Sequence, residues 1–223
     1  MATVYRRDDC GRLGAARTWV AAWFADGLLW RHDLATGHDD VVARPRIATA
    51  QWMQVDTDGT IYFPEDDQLW KWTTAQRVTL VAKLPQPIRD AVLLDDGRLF
   101  ALTKDGAGYT IELASGTVAS RLASGTRLNS VISSRQLAIA LERRDTMLAI
   151  DASTGIRWPL AQTSTTVGAP DVSVDGQRAF AYIGDTRLEW RLDVPLTQDD
   201  TARWIETLTN ARAPTGPTVL TWE

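Results

Sequence analysis

The chain of 223 residues contains a single cysteine, Cys10, and two histidines, His32 and His38. One cysteine excludes an intrachain disulfide and fits a reducing compartment, so a cytoplasmic location is expected. Cys10 itself reads as a small loop residue rather than a nucleophile. The longest apolar run, WVAAWFA at 19–25, is far short of the roughly 20 residues a membrane span needs. The opening MATVYRRDDCGR has neither the apolar stretch nor the small-residue cleavage site of a secretory leader. No membrane partner is expected. Net charge is −4 with acids and bases interspersed, so no basic face offers itself to a phosphate backbone and nucleic acid is not expected either. Also missing are a P-loop, a Gly-x-Gly-x-x-Gly turn and a Ser-His-Asp arrangement.

What is abundant is tryptophan, ten residues in all, and their spacing points to a repeat. DTDGTIYF (56–63) returns as LDDGRLFAL (94–102) and SVDGQRAFAY (173–182), with a degenerate copy, ISSRQLAIAL, at 132–141. After each comes a second element: LLWRHDLATG (28–37), QLWKWTTAQ (68–76), GYTIELASG (108–116), MLAIDASTG (147–155) and RLEWRLDVP (187–195). Gly37, Gln76, Gly116, Gly155 and Pro195 step along the chain by 39, 40, 39 and 40 residues. Within a unit, an Asp-Gly turn leads into period-2 alternation, a polar turn and a second short strand. A third run follows (39–45, 77–84, 117–123, 156–162), and a fourth precedes each Asp-Gly (49–55, 89–95, 128–133, 169–174). No unit carries a helical pattern. Four short strands in 39 or 40 residues is the arithmetic of a propeller blade, so the expected fold is all-β: a β-propeller of about five four-stranded blades.

The unit resembles a WD40-type repeat. Asp58-Gly59, Asp67-Gln68-Leu69-Trp70 and Gln76 stand where that family has its Asp-Gly turn, its Trp-bearing strand and its closing Gly. The resemblance covers about 40 to 195, and more loosely 12 to 40. No Trp-Asp dipeptide occurs, and Gly37-His38 stands away from the family's Gly-His position. The tail is similar to WD40-like regions that end large bacterial signalling proteins. What the resemblance implies is a non-catalytic scaffold or complex subunit that docks protein partners through its inter-strand turns.

Residues 1–196 are expected to form the propeller, with a strand at ATVYRR (2–7). Residues 197–223 are expected to add a helix, capped by Asp199 or Asp200 and packed through Trp204, Ile205 and Leu208, then a short strand at TVLTWE. A propeller must pair its terminal blades or leave an exposed edge. Both a closed five-bladed ring and part of a larger propeller completed by another chain satisfy this.

The crowded carboxylates Glu65, Asp66 and Asp67 fall between the second and third strands of a unit, where a tight reversal needs such residues. Lys104, Arg143, Arg144, Asp185 and Arg187 fall in or beside the equivalent turns, giving an electrostatically uneven face. With Trp72, which lacks an aromatic counterpart in other units, these are the candidate partner-binding residues. Trp30, Trp70 and Trp190 recur with the repeat and are expected to pack between blades, whereas Trp23, Trp52 and Trp158 do not recur. His32 and His38 lie near Asp33, Asp39 and Asp40, but successive strand residues point to opposite faces, so one hairpin does not converge them on a metal. No cofactor, metal or catalytic residue is assigned. The alternative function is a small-ligand sensor or a lactonase-like hydrolase that gathers polar groups from several blades in the central channel.

Overall fold

The computed structural model describes residues 10–16, 18–24, 26–43, 52–75, 77–125, 128–134, 137–142, 145–162, 167–168, 171–172, 178–183, 186–191, 211–212 and 221–222. These residues form strands and turns, with no helix among them, and so no helix long and apolar enough to cross a membrane. The first sheet is β1 (Cys10–Ala16), β2 (Trp19–Phe24), β3 (Leu28–Asp33) and β4 (His38–Ala43). The second is β5 (Gln54–Val55), β6 (Ile61–Glu65), β7 (Gln68–Trp72) and β8 (Val78–Lys83). The third is β9 (Ile88–Leu93), β10 (Arg98–Thr103), β11 (Gly108–Glu112) and β12 (Val118–Leu122). The fourth is β13 (Leu128–Ser134), β14 (Leu137–Glu142), β15 (Thr146–Asp151) and β16 (Arg157–Gln162). A three-stranded sheet follows, β17 (Asp171–Val172), β18 (Arg178–Ile183) and β19 (Thr186–Arg191), then a small pair, β20 (Ala211–Arg212) with β21 (Thr221–Trp222). Every pairing is antiparallel, and within each of the four-stranded sheets spatial order equals chain order.

The turns explain the hairpins. In the DLATG turn, Asp33 accepts from Ala35 N–H (2.9 Å) and from the Thr36 hydroxyl (2.8 Å), while Gly37 N–H donates to the Asp33 carbonyl (2.7 Å). The DASTG turn repeats this: Asp151 accepts from Ser153 N–H (2.7 Å) and Thr154 Oγ1 (2.8 Å), and Gly155 N–H donates to the Asp151 carbonyl (2.7 Å). Both glycines have the positive φ such a reversal requires. Asp33 and Asp151 act as local turn caps.

Consecutive sheets meet through their first strands, β1 with β5, β5 with β9, β9 with β13 and β13 with β17. The alternation of side chains then fills the space between them. Leu99 and Ala101 face Leu69 and Tyr62 of the second sheet, while Phe100 and Leu102 between them face Ala138, Leu148 and Ile150 of the fourth. A cluster around Ala21, Trp23, Leu29, Ile61, Phe63 and Trp72 joins the first two sheets, and one around Ile139, Met147, Ala179 and Ala181 joins the fourth sheet to the three-stranded one. This is a propeller-like fold, with the apolar core divided among the gaps between blades.

Two expectations are corrected. Cys10 opens strand β1 rather than lying in a loop. Trp52 and Met53 are buried, but of the described part of the expected 49–55 strand, residues 52–55, Gln54–Val55 alone pairs. The expected strand at 2–7 and helix after 197 lie outside the described residues, and of the expected terminal strand the described residues Thr221–Trp222 form β21.

Candidate functional site

At one end of the second and third sheets, the turns between their second and third strands (65–68 and 103–108) sit against the same connection between sheets. Asp66 takes a left-handed backbone (φ 60°), and its carbonyl accepts from Ile88 N–H while that of Asp67 accepts from Leu84 N–H, both at 2.8 Å. Lys104 N–H donates to the Pro87 carbonyl (2.9 Å), and Gly125 N–H donates to the Asp105 carbonyl (2.7 Å). Each tip is thus tied by its backbone to a connection between sheets, leaving the side chains of Asp66 and Lys104 exposed. Asp105 is held below the usual carboxylate range by the Thr103 hydroxyl, which donates to it at 2.5 Å, with the Ala107 N–H helping.

The candidate residues divide. Asp66, Asp67 and Lys104 lie on this end, with Asp67 paired to Lys83 at 3.3 Å. Glu65, by contrast, is a buried residue at the end of β6. Trp72 is 0% exposed and does not belong to a surface. Arg187 sits on strand β19, not in the turn, and its guanidinium lies 3.8 Å from the Phe180 ring centroid. Arg143, Arg144 and Asp185 lie outside the described residues. Of the tryptophans without counterparts, Trp23 and Trp52 are buried, while Trp158 on the outer strand β16 is 41% exposed beside exposed Ile156. Trp70 and Trp190 pack between sheets as the repeat requires.

Trp72 is covered by a cation. Arg31, fully buried, crosses from the first sheet with its guanidinium 4.3 Å from the Trp72 ring and 5.5 Å from Trp19. Its Nε and Nη2 donate to Asp40 Oδ2 at 3.0 and 2.7 Å. Nη1 donates to the Gly59 carbonyl and Nη2 to that of Thr73, each at 3.0 Å, with a longer contact from Nη1 to Trp72 O at 3.4 Å. A side chain added at Gly59 would strike the Trp19 indole, at 2.4 Å, so the Asp58-Gly59 turn is shaped to receive that ring. Arg31 and Asp40 oppose each other across β3 and β4, which sends both toward the second sheet.

The histidines occupy strand positions in the same hairpin. His38 Nε2 meets Asp40 Oδ1 at 3.0 Å; His32 Nδ1 meets Asp39 Oδ1 at 2.8 Å on the other face, stacked against Trp30, whose Nε1–H donates to the same oxygen at 3.1 Å. Strand alternation keeps the two apart. Among the described residues no group of three or more His, Cys, Asp or Glu is placed to hold a metal ion.

Burial opposes ionisation of Asp40, but the hydrogen bonds and charge of Arg31, with His38, outweigh it and leave its pKa below 3.8. Asp151 is also lowered, burial again being overcome, here by Ser153 and Thr154; Asp96 is lowered by its hydrogen bond from Arg98. Carboxylates depressed in the folded state add stability above their unfolded pKa and lose it as pH falls through the lowered folded value. Urea midpoints are therefore expected to be flat near neutrality and to drop below about pH 4. A midpoint that rises on acidification would contradict this.

No family model matches the sequence, and no curated protein matches it. Among solved structures, the chain is similar to the computationally designed Ika8 protein at 14% identity, with a TM-score of 0.61 over 81% of this chain and 57% of that one. It is also similar to oligogalacturonate lyase in complex with manganese at 11% identity, with a TM-score of 0.60 over 78% of this chain and 59% of that one. At these identities what is shared is the fold, and the chain spans less than three-fifths of the length of either structure.

Proposed function

We propose that the chain is a non-catalytic interaction module of WD40-like type, which presents the hairpin turns at one end of its blades to a protein partner within a larger assembly. The observation that carries this reading is the combination of exposed charge and fixed backbone at those turns. Asp66 and Lys104 project from tips whose main chains are bonded to the neighbouring connections. Preorganised turns lose little entropy on binding, and charges of opposite sign on adjacent blades favour one docking register over others. A channel enzyme would instead need polar groups converging from several blades, and the polar side chains of the first hairpin are taken up by one another and by main-chain carbonyls of the second sheet. The lyase neighbour brings its fold and not its chemistry.

The test is affinity capture with wild type against the double variant Asp66→Lys/Lys104→Glu, both exposed positions. Proteins captured by wild type are expected to fall by at least about tenfold on the variant, with urea midpoints matching. Equal capture by the two would remove this face from the proposal.

A further inference from the structure

Two arginines show how this chain uses a guanidinium. Arg31 gives its Nε and Nη2 to Asp40 Oδ2, at 3.0 and 2.7 Å, and Arg98 gives the same two atoms to Asp96 Oδ2. Those nitrogens form one edge of the planar group, and an edge of this kind is matched to a carboxylate. Arg89 has the same edge buried and unbonded, since neither its Nε nor its Nη2 meets an acceptor. Among the described residues no carboxylate pairs with it. Asp90 beside it turns Oδ1 back to the Ala91 N–H at 2.9 Å, and Asp105 Oδ1 is taken by the Thr103 hydroxyl and the Ala107 N–H.

The backbone sets Arg89 where it is. Strand β9 pairs with β10 as Asp90 with Leu102 and Ile88 with Thr103, so Arg89 is the extra residue of a β-bulge, with nothing opposite it. A bulge takes its side chain out of the regular alternation and aims it afresh. The residues just before are held from two sides: Ile88 N–H donates to the Asp66 carbonyl (2.8 Å), and Lys104 N–H donates to the Pro87 carbonyl (2.9 Å). Arg89 therefore adjoins the connection to which both exposed tips, Asp66 and Lys104, are bonded, on the strand through which the third sheet meets its neighbours. It is half-buried as a residue. Turning its free edge outward breaks no bond within the protein and relieves the desolvation of two unmet donors.

We propose that Arg89 turns this edge to a carboxylate on an acidic segment of the docked partner, with the exposed Lys104 adding attraction at longer range. The inference rests on the partner reading above and gives the chemistry of the group the partner inserts. Carboxylates are the anions a protein carries in its own sequence, and they are what the same edge holds at Arg31 and Arg98.

The test is a titration of a labelled hexaglutamate peptide with the full chain, followed by fluorescence anisotropy at low salt. Wild type is expected to bind saturably and Arg89→Gln at least about tenfold more weakly. Arg89→Lys keeps the charge but not the edge, and is expected to lose nearly as much. Arg121→Gln is the control. Arg121 is half-buried on β12 with Nε alone unbonded, one donor rather than a fork, and this variant is expected to match wild type. Urea midpoints of the Arg89 variants are expected to stay level with wild type, because the edge bonds nothing in the free protein. A marked fall in midpoint overturns the inference, as does a peptide that does not bind or that binds Arg89→Gln equally well. Citrate or inorganic phosphate binding at Arg89 as tightly as the peptide overturns it too, since the ligand is then a free anion. The two readings fail separately: partners captured by wild type and lost from Asp66→Lys/Lys104→Glu, but retained by Arg89→Gln, sink the Arg89 site and leave the docking face standing.

Discussion

Asp40→Ala is expected to destabilise the protein by about 3–5 kcal/mol, a large part of the whole stability of a typical domain. The substitution leaves the Arg31 guanidinium fully buried between Trp19 and Trp72 without its counter-ion. Two of its donors would point at nothing. Removing one member of a buried pair costs more than the pair itself contributes, because the remaining charge cannot be rehydrated. The cation–π contacts, on the order of 2 kcal/mol when desolvated, do not offset this. The double variant Arg31→Met/Asp40→Leu separates the two roles of Arg31. If it were only half of an ion pair, apolar replacement of both partners would be nearly neutral. Arg31 also binds the carbonyls of Gly59 and Thr73 on the second sheet, and each buried acceptor left unpaired costs about 1–3 kcal/mol. Partial recovery is therefore expected in urea unfolding, with the remaining deficit reporting the tether between sheets. Full recovery would show that the tether contributes nothing.

The same cluster shows what was legible in the sequence and what was not. The repeat and its strands could be read because each blade must solve the same problems: a turn cap at Asp33 and Asp151, a left-handed glycine after it, and apolar residues at period 2 for the gaps on both sides. Local chemistry constrains these, so it recurs every 39 or 40 residues. Trp72 was misplaced because its neighbour is 41 residues away and is not apolar. A strand arginine reads as surface until the carboxylate across the hairpin and the carbonyls of the next blade are seen together. Glu65 was misplaced for a related reason. It stands beside a turn formed by Asp66 and Asp67, and one step along a strand separates a buried end from an exposed tip. Arg187 was assigned to a turn by its sequence neighbours, yet the strand had already begun at Thr186. In the sequence, Arg31 and Asp40 fall at inward positions of paired strands, and Lys71, Thr110 and Ala149 stand at the Arg31 position in later blades.

Gly116→Ala is expected to cost roughly 2–5 kcal/mol, and Gly37→Ala only about 1–2 kcal/mol, although the two glycines occupy the same turn of the repeat. Their backbones are alike, with φ of +74° and +72°, and each donates its N–H to the carbonyl of the residue four positions back, 2.8 Å at Glu112 and 2.7 Å at Asp33. The left-handed conformation penalises a Cβ equally in both. What differs is the neighbour. A methyl on Gly116 would stand 2.2 Å from the Val81 carbonyl oxygen, a main-chain atom of β8 that cannot rotate aside. The turn or the whole sheet must shift, and that disturbs the packing of Ile111 and Leu113 against Leu69 and Ala82. At Gly37 the methyl meets open space. Urea midpoints of the two variants, measured side by side, isolate the contribution of blade-to-blade contact from that of turn geometry. Equal losses would mean that the sheets do not press on one another as closely as Gly116 and Val81 indicate.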